Sequence, residues 1–419
     1  MAALIIVYSY LFINISYSVY LYLKYKLCPQ LLWCLAQLLM FFGISEICDY
    51  DNPNDVELLG LYLFGLIIFI FSSYILSYTY KAKSHISTEP NAKNYIKRLP
   101  ILWTIMIFAI ILSTYFFIKG GGNVFVEGIK SLIIGSEYSV KYSRMNLLSI
   151  SGVGYIYQLR VIVLPLCVLY YYFYNKKRFV TPLLIIVSLL FLVGTGQRGG
   201  LISVVIITML TYYYWTKDNT AYPIQKKTRV YIIIFFVTGV FFGLSTVMNG
   251  RVSEDDTVLS TIIQRFITDN QSSALYGFRY IKMSDIQYGK DWLLQLKDIL
   301  PGKNSYTSLD TRIFAYIYGG STDGTAPPCI WGSAYYNFGY VGIVIVALFT
   351  SFLTTYIHKV FFEKKCDEFS IITYSAYQFL VAYWVAGGPV VLFNNGFITV
   401  LLLYWIMQLA TKYRITIGN

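Results

Sequence analysis

The sequence has little charge, few cysteines and no phosphate-binding loop, and each shortage excludes a class of protein. Only 13% of the 419 residues are charged, roughly half the share found in soluble domains. The six cysteines show no C-x-x-C spacing, so neither a zinc site nor a redox site is indicated. A Gly-x-x-x-x-Gly-Lys loop is missing, which argues against the use of ATP.

Long apolar runs make up most of the chain. Hydrophobic residues amount to 57% and the mean hydropathy is +0.57, in runs of about 17 to 25 residues that match the thickness of a bilayer. We therefore predict an all-α, polytopic integral membrane protein with about eleven transmembrane helices, folded as a single membrane domain over residues 1–419. The predicted spans cover roughly residues 2–23, 27–47, 57–78, 99–118, 152–174, 180–197, 199–216, 230–248, 331–357, 369–388 and 394–411.

Lysine and arginine are unevenly divided between the connections. One alternating set of connections holds nineteen of them, and the short connections of the other set hold five. Because basic residues are retained in the cytoplasm during insertion, the amino terminus is predicted outside and the carboxyl terminus inside. The formal net charge of +12 is mostly this topological signal, so we do not infer binding to nucleic acid.

One long polar stretch, residues 249–330, interrupts the apolar runs on the predicted outer side. It contains nine acidic residues and four arginines. Residues 257–268 predict an amphipathic helix that lies on the membrane surface with Arg265 facing water. Tyr276 precedes Arg279 in an aromatic stretch that either stacks against sugars or packs the core of the loop. The four arginines are Arg251, Arg265, Arg279 and Arg312.

Two further arginines lie near the predicted outer surface. Arg198 occupies the tight turn from Gly194 to Gly200, where glycines let backbone amides and an arginine fork approach an anion. Arg160 lies roughly 10 Å below the outer boundary of its span, where a charge usually faces a partner or a cavity. The alternative for both side chains is snorkelling toward the headgroups.

Histidine, metal and disulfide chemistry are not indicated on the outer side. His85 and His358 are both predicted on the cytoplasmic side, so an external general base must be Asp, Glu or Tyr. The acidic runs at 49–51 and 254–256 are similar to metal-binding carboxylate pairs, but topology alone also produces them, and we predict no metal. Cys48 and Cys329 are both predicted outside, and we interpret them as plain small hydrophobes, with a disulfide as the alternative.

The end of the polar stretch carries a familiar pattern. Gly324-Thr325-Ala326-Pro327-Pro328, followed by Gly332-Ser333-Ala334-Tyr335-Tyr336-Asn337-Phe338-Gly339-Tyr340-Val341-Gly342, resembles Wzy-type O-antigen or oligosaccharide repeat-unit polymerases. The Gly-rich turn at 196–199 fits the same family. Family members often carry an acid where this chain has Ser333, so no base is assigned there. We expect Ser333 or Asn337 to cap a helix and the glycines to permit close helix contact.

The resemblance implies polymerisation of lipid-linked repeat units on the periplasmic face of the bacterial inner membrane. Donor and acceptor would be undecaprenyl-diphosphate-linked oligosaccharides, with a chain-length regulator as a further protein partner and no cofactor. Fixed cations would meet the charge on the departing diphosphate, and a carboxylate, a tyrosinate or the leaving phosphate would take the proton of the attacking hydroxyl. The candidate bases are Asp323, Asp310 and Glu137. The candidate binding residues are Arg160, Arg198, Arg265, Arg279, Arg312 and Tyr276.

Two alternatives remain open. A flippase for lipid-linked oligosaccharides would also be basic, multi-span and free of ATP motifs, but it should lack a large external loop and carry cations midway through several spans. An O-antigen ligase would share the layout and the substrate, but that family uses an external histidine. Activity on lipid-linked repeat units separates these classes.

Overall fold

The computed structural model describes most of the chain, and within that part the protein is helical. The described residues are 84% helix and include no strand. The expected all-α class is therefore confirmed. The described residues are 2–80, 91–134, 143–144, 146–147, 149–150, 152–176, 178–196, 199–217, 268, 270–297, 299–300, 306–322, 324–362 and 366–412.

Eight of the described helices are long and apolar enough to cross a membrane. They coincide with eight of the eleven predicted spans, which is consistent with a polytopic membrane protein. Two further predicted spans correspond to shorter apolar helices, Val180–Val193 and Phe397–Lys412, and the span predicted at 230–248 lies outside the described residues. The eight long segments are Ala3–Tyr25, Pro29–Ile47, Pro53–Tyr78, Ala92–Lys119, Val153–Asn175, Gly199–Thr216, Cys329–Phe361 and Glu368–Ala386.

We number the described α-helices in chain order. The span that begins at Val153 contains a π-helical turn, Leu159–Val163, between α6 and α7. The helices are α1 Ala2–Tyr25, α2 Pro29–Ile47, α3 Pro53–Tyr80, α4 Ala92–Lys119, α5 Val124–Ile134, α6 Val153–Gln158, α7 Leu164–Asn175, α8 Val180–Val193, α9 Gly199–Lys217, α10 Asn270–Lys282, α11 Lys290–Lys297, α12 Leu309–Ile317, α13 Cys329–Phe362, α14 Glu368–Tyr383, α15 Pro389–Asn394 and α16 Phe397–Lys412.

The contacts group the chain into two compact units. Unit 1 comprises Met1–Ile86, Ile262–Lys364 and Tyr377–Asn394. Unit 2 comprises Ser87–Thr261, Lys365–Ala376 and Asn395–Asn419. The single membrane domain expected from the sequence stays a prediction.

The core of unit 1 forms where α13 packs along α3. The indole of Trp331 lies against Gly65, where a Cβ atom would come within 2.7 Å of the ring, so glycine is what permits the approach. The Trp331 Nε1 donates a hydrogen bond to Gln37 Oε1 at 2.9 Å, which satisfies the polar atom of a buried ring. Further along the same helix pair, Ser73 and Ser351 share a hydrogen bond of 2.9 Å.

Helix α13 is kinked at Gly339. Its φ of 60° and ψ of −143° belong to a region open to glycine. Beyond the kink, Gly342 lies so close to the carbonyl of Ala334 that a Cβ atom would be 2.2 Å from its oxygen. The helix begins at Cys329, so the expected capping by Ser333 or Asn337 is wrong. Asn337 instead donates to the carbonyl of Ser333 at 3.0 Å, inside the helix.

In unit 2, a buried arginine joins the ends of several helices. Arg98 on α4 pairs with Asp367 at 2.6 Å, just before α14. Its Nε donates to the carbonyl of Met407 on α16 at 2.9 Å, and its Nη1 donates to the hydroxyl of Tyr170 on α7 at 3.2 Å. The Arg98 side chain is fully buried, so the carboxylate is required to balance its charge.

Candidate functional site

The candidate site in unit 1 begins with the way α12 is started and packed. Ser308 caps the helix by accepting a hydrogen bond from the amide of Thr311 at 3.3 Å. Leu309 and Ile313 face the unit and join a buried cluster with Ile281 of α10 and Tyr336 of α13. This packing fixes the face of α12 that carries Arg312.

Arg312 lies in a cluster of polar side chains that α11, α12 and α13 contribute. Its Nη2 pairs with Asp291 Oδ1 at 3.2 Å and donates to the hydroxyl of Tyr306 at 2.9 Å. Its Nη1 donates to the hydroxyl of Tyr336 at 2.9 Å. The Tyr306 hydroxyl in turn donates to Asp291 Oδ1. Because charge-assisted hydrogen bonds are strong and directional, these contacts hold the guanidinium in one orientation.

Asp291 is the centre of this polar cluster, and its carboxylate is almost fully buried. Gln295, one turn further along α11, donates to its Oδ2 at 2.8 Å. Asn337 of α13 donates to the same oxygen at 3.5 Å and accepts from the amide of Trp292 at 3.2 Å. Burial raises the pKa of Asp291, while the hydrogen bonds from Tyr306 and Asn337 and the charge of Arg312 oppose that rise.

Asp310 lies in the first turn of α12, two residues before Arg312. Burial raises the pKa of its carboxyl to about 6, and the negative charge of Asp291 adds to the effect. Among the described residues, no other side chain donates a hydrogen bond to this carboxylate. A carboxylate with a pKa about one unit below neutrality is mostly ionised and able to accept a proton, as a general base must be.

The motif stretch before α13 lies against the start of α12. The amide of Ala326 donates to the carbonyl of Asp310 at 2.9 Å. Gly324 lies against Phe314, where a Cβ atom would come within 2.5 Å of the ring. The Gly-Thr-Ala-Pro-Pro segment at 324–328 is therefore bonded to the backbone of α12, the helix that carries Asp310 and Arg312.

Unit 2 contains a second candidate group around Arg160. This side chain leaves the π-helical turn Leu159–Val163 and is 1% exposed. Its Nη1 donates to the carbonyl of Phe191 at 2.8 Å, and its Nη2 donates to Thr195 Oγ1 at 3.1 Å. The rings of Phe116 and Tyr157 lie 5.9 and 5.3 Å from its guanidinium carbon. Within the part of the chain that the structure describes, Arg160 has no carboxylate partner and its Nε has no hydrogen-bond partner.

The glycine turn that the sequence singles out lies directly at Arg160. Thr195, which accepts from Arg160, stands between Gly194 and Gly196 of that turn. The carbonyl of Gly194 accepts from the amide of Val124 at 2.8 Å, which ties the turn to the start of α5. The charged residue inside a span therefore contacts the glycine turn, although the two are separate features in the sequence.

A polar recess of about 510 Å³ opens near the end of α4 in the same unit. Lys119, Asn146 and Ser149 supply its hydrogen-bonding side chains, and Gly120 and Gly121 leave its floor without side chains. Ile150 lines the recess and also packs on the cluster that contains Phe116, whose ring faces Arg160. The recess offers hydrogen-bonding groups of the kind that a hydroxyl-rich ligand requires.

Arg279 and Tyr276 also meet, but the charge of the arginine is already matched. The Arg279 guanidinium forks onto Asp55 at the start of α3, with contacts of 2.7 and 2.6 Å, and its carbon lies 5.1 Å from the centre of the Tyr276 ring. Asp55 is fully buried, so the pair anchors α10 to α3. Substrate binding by Arg279 and Tyr276 stays a prediction.

Several predicted site residues lie outside the described part of the chain. The same holds for the amphipathic helix, of which Thr268 alone is described. All six cysteines are described and carry free thiols, Cys48 and Cys329 included. The site residues concerned are Asp323, Glu137, Arg198 and Arg265.

Asp291 is the one central residue of the unit 1 site that the sequence does not indicate. It was one acidic residue among nine in the polar stretch. Its distinguishing signal is the spacing to Gln295, because residues four apart share one face of a helix.

No family model, curated protein or solved structure matches the chain.

Proposed function

We propose that this protein polymerises lipid-linked oligosaccharide repeat units by glycosyl transfer on the periplasmic face of the bacterial inner membrane. The substrate class and the reaction come from the resemblance carried by residues 196–199 and 324–342. The structural observation that supports it most is the grouping of Asp310, Arg312 and Asp291 beside the motif segment 324–328. The charge of Asp291 acts on Asp310, and Asp291 is paired with Arg312, so a base and a fixed cation belong to one cluster. Such a cluster suits a transfer in which a hydroxyl attacks and a diphosphate leaves.

The proposed step forms one bond, breaks one bond and moves one proton. The distal hydroxyl oxygen of the acceptor forms a bond to the anomeric carbon of the donor sugar. The bond from that carbon to the diphosphate oxygen breaks, and the electron pair leaves with the undecaprenyl diphosphate. The hydroxyl proton passes to the carboxylate of Asp310. Arg312 faces the negative charge that develops on the leaving oxygens.

Asp291 and its neighbours position Arg312 in this scheme. The two tyrosine hydroxyls and the buried carboxylate hold three sides of the guanidinium, so little reorganisation is needed when charge develops. The Arg312 Nε is buried and has no hydrogen-bond partner among the described residues. In unit 2, Arg160 is proposed independently to bind a lipid-linked diphosphate, because a buried arginine without a carboxylate is suited to an anionic ligand.

The experiment uses purified protein in liposomes with lipid-linked repeat units, and the product length is followed by gel electrophoresis. The wild type should extend the units into long chains. Asp310→Asn and Arg312→Gln should lower the rate on the order of 10²-fold or more, at unchanged protein levels. Asp285→Asn serves as the control, because Asp285 is exposed in the same polar stretch.

Other outcomes assign the protein to another class. Movement of labelled lipid across the bilayer without elongation would make it a flippase, the strongest alternative. Transfer of the glycan to a different lipid acceptor, without polymerisation, would make it a ligase. Full elongation by both variants would remove Asp310 and Arg312 from the proposed chemistry.

A further inference from the structure

Helix α11 buries two polar side chains and exposes a large apolar side chain, which is unusual for a helix in water. Asp291 and Gln295 are buried in unit 1, whereas Leu293 between them is 69% exposed. Residues 291 and 295 share one face, and residue 293 lies on the opposite face, about 200° away around the helix. A helix at a water-facing surface buries its apolar face instead.

The chain around α11 exposes further large apolar side chains. Four further large apolar side chains between residues 283 and 300 are exposed, namely Met283, Ile286, Tyr288 and Leu300. None of them belongs to a helix that is long enough to span a membrane. So many large apolar side chains exposed within eighteen residues form a patch that marks an interaction surface.

Contacts within unit 1 fix this segment at the kink of α13. The amide of Gln287 donates to the carbonyl of Tyr336 at 2.9 Å, and the amide of Gly289 donates to the carbonyl of Asn337 at 3.2 Å. Ile286 lies against Gly339 at the kink itself. The segment therefore lies at one end of the stretch of α13 that begins at Tyr340.

The apolar patch adjoins exposed apolar side chains of a candidate membrane span. Tyr340 and Val341 follow the kink directly and are 55% and 63% exposed within an apolar span. Such exposure in a span is expected where acyl chains cover the helix. The exposed lysines Lys290 and Lys297 stand at the two ends of α11, where their ammonium groups can reach headgroup phosphates while the stems lie over apolar chains.

We infer that α11 and the segment before it lie in the interface of the lipid bilayer, with Leu293 toward the acyl chains and Asp291 toward the protein. The occupant of the exposed patch is the bilayer that surrounds the adjoining span. This placement does not depend on the proposed enzymatic activity. It sets the Asp291–Arg312 cluster at the depth of the headgroups.

Spin labelling of the full-length protein in liposomes tests this inference. A nitroxide is attached to Leu293→Cys in a Cys48→Ser background, since the other five native cysteines are buried. Val341→Cys provides the lipid reference. Asp51→Cys provides the water reference, because Asp51 is an exposed carboxylate in the same unit. The collision rates with oxygen and with a water-soluble nickel chelate are then compared.

The inference predicts that the label at position 293 collides with oxygen severalfold more often, relative to the nickel chelate, than the label at position 51, and resembles the label at position 341. A ratio like that of position 51 would place α11 in water and overturn the inference. Protection from both reagents would show that protein covers the patch, as in contact with a second copy, and would also overturn it. Leu293 is 69% exposed, so its replacement removes little buried apolar area.

Discussion

At the scale of single residues, the two arginines of greatest interest are held in opposite ways. Arg312 faces the carboxylate of Asp291 and two tyrosine hydroxyls. Arg160 is buried deeper, and its partners among the described residues are a carbonyl, a threonine hydroxyl and aromatic rings, with no carboxylate. A buried cation without a carboxylate carries a desolvation cost that its surroundings do not repay. We therefore expect Arg160 to be retained for binding an anion and not for stability.

Replacement of Arg160 by Gln tests that view. The amide can still donate to the carbonyl of Phe191, and the uncompensated charge is removed, so thermal stability in detergent should be equal or higher. The rate of elongation should fall on the order of 10²-fold, because one preorganised donor to the diphosphate is lost. Arg178→Gln is the matched control, since Arg178 is exposed in the same unit. Normal elongation with lowered stability would make Arg160 a structural residue.

The carboxyl of Asp310 should appear in the pH dependence of the reaction. Its pKa is raised to about 6, mainly by burial, and the proposed base must be ionised. As the pH falls below about 6 the ionised fraction decreases, so the rate should fall about tenfold per pH unit and level off above pH 7. Initial rates between pH 4.5 and 8 check this.

Substitution of Asp310 identifies the group responsible for that pH dependence. Asp310→Asn should lower the rate and abolish the fall in acid, because the amide does not titrate. Asp285→Asn should keep the wild-type profile. An acid limb that persists unchanged in Asp310→Asn would show that another group is the base.

At the scale of elements, the kink of α13 sets the geometry of the unit 1 site. Tyr336 and Asn337 stand just before Gly339 and contact Arg312 and Asp291. The segment that leads into α11 is bonded to the carbonyls of these same two residues. A straight α13 would keep those carbonyls in intrahelical hydrogen bonds, so the kink is what allows α11 to attach.

Gly339→Ala should therefore destabilise the protein by about 1–3 kcal/mol, since an alanine at this φ and ψ is strained. Its Cβ atom would also lie 3.2 Å from Ile286. Gly60→Ala is the control, because nothing lies within 4 Å of a Cβ atom built there and alanine is the better helix former. Thermal unfolding in detergent measures both. Equal stability of the two variants would show that position 339 tolerates a straight helix.

From the sequence, a helix could be predicted only where the length and hydropathy of an apolar run identify it. Eight spans were recognisable because twenty apolar residues have few other uses. The kink at Gly339 was not, since the same glycines fit close helix packing equally well. The burial of Asp291 was not recognisable either. Helix α11 exposes a leucine and buries an aspartate, and hydropathy patterns for a helix in water assume the reverse. Asp310 and Arg312 could be named individually, but their grouping with Asp291 depends on contacts between three helices.

At the scale of the whole molecule, the proposed chemistry depends on which side of the membrane the polar stretch occupies. The lysine and arginine bias predicts that residues 249–330 lie on the side of the membrane opposite the carboxyl terminus. The same bias accounts for most of the net charge of +12, so that charge does not require an acidic binding partner. A lipid-linked glycan polymerised outside the cytoplasm reaches Asp310 and Arg312 in this orientation alone.

Reporter fusions test this orientation directly. Alkaline phosphatase is active only after export. Green fluorescent protein does not fluoresce after export by the general secretion route, so its fluorescence reports a cytoplasmic location. Fusions after Gly320, an exposed glycine of the polar stretch, should therefore show high phosphatase activity and no fluorescence. Fusions after Lys412 should show the reverse, because the basic residues near the carboxyl terminus retain it inside. The opposite pattern would place Asp310 and Arg312 in the cytoplasm, where a polymerase acting outside has no use for them.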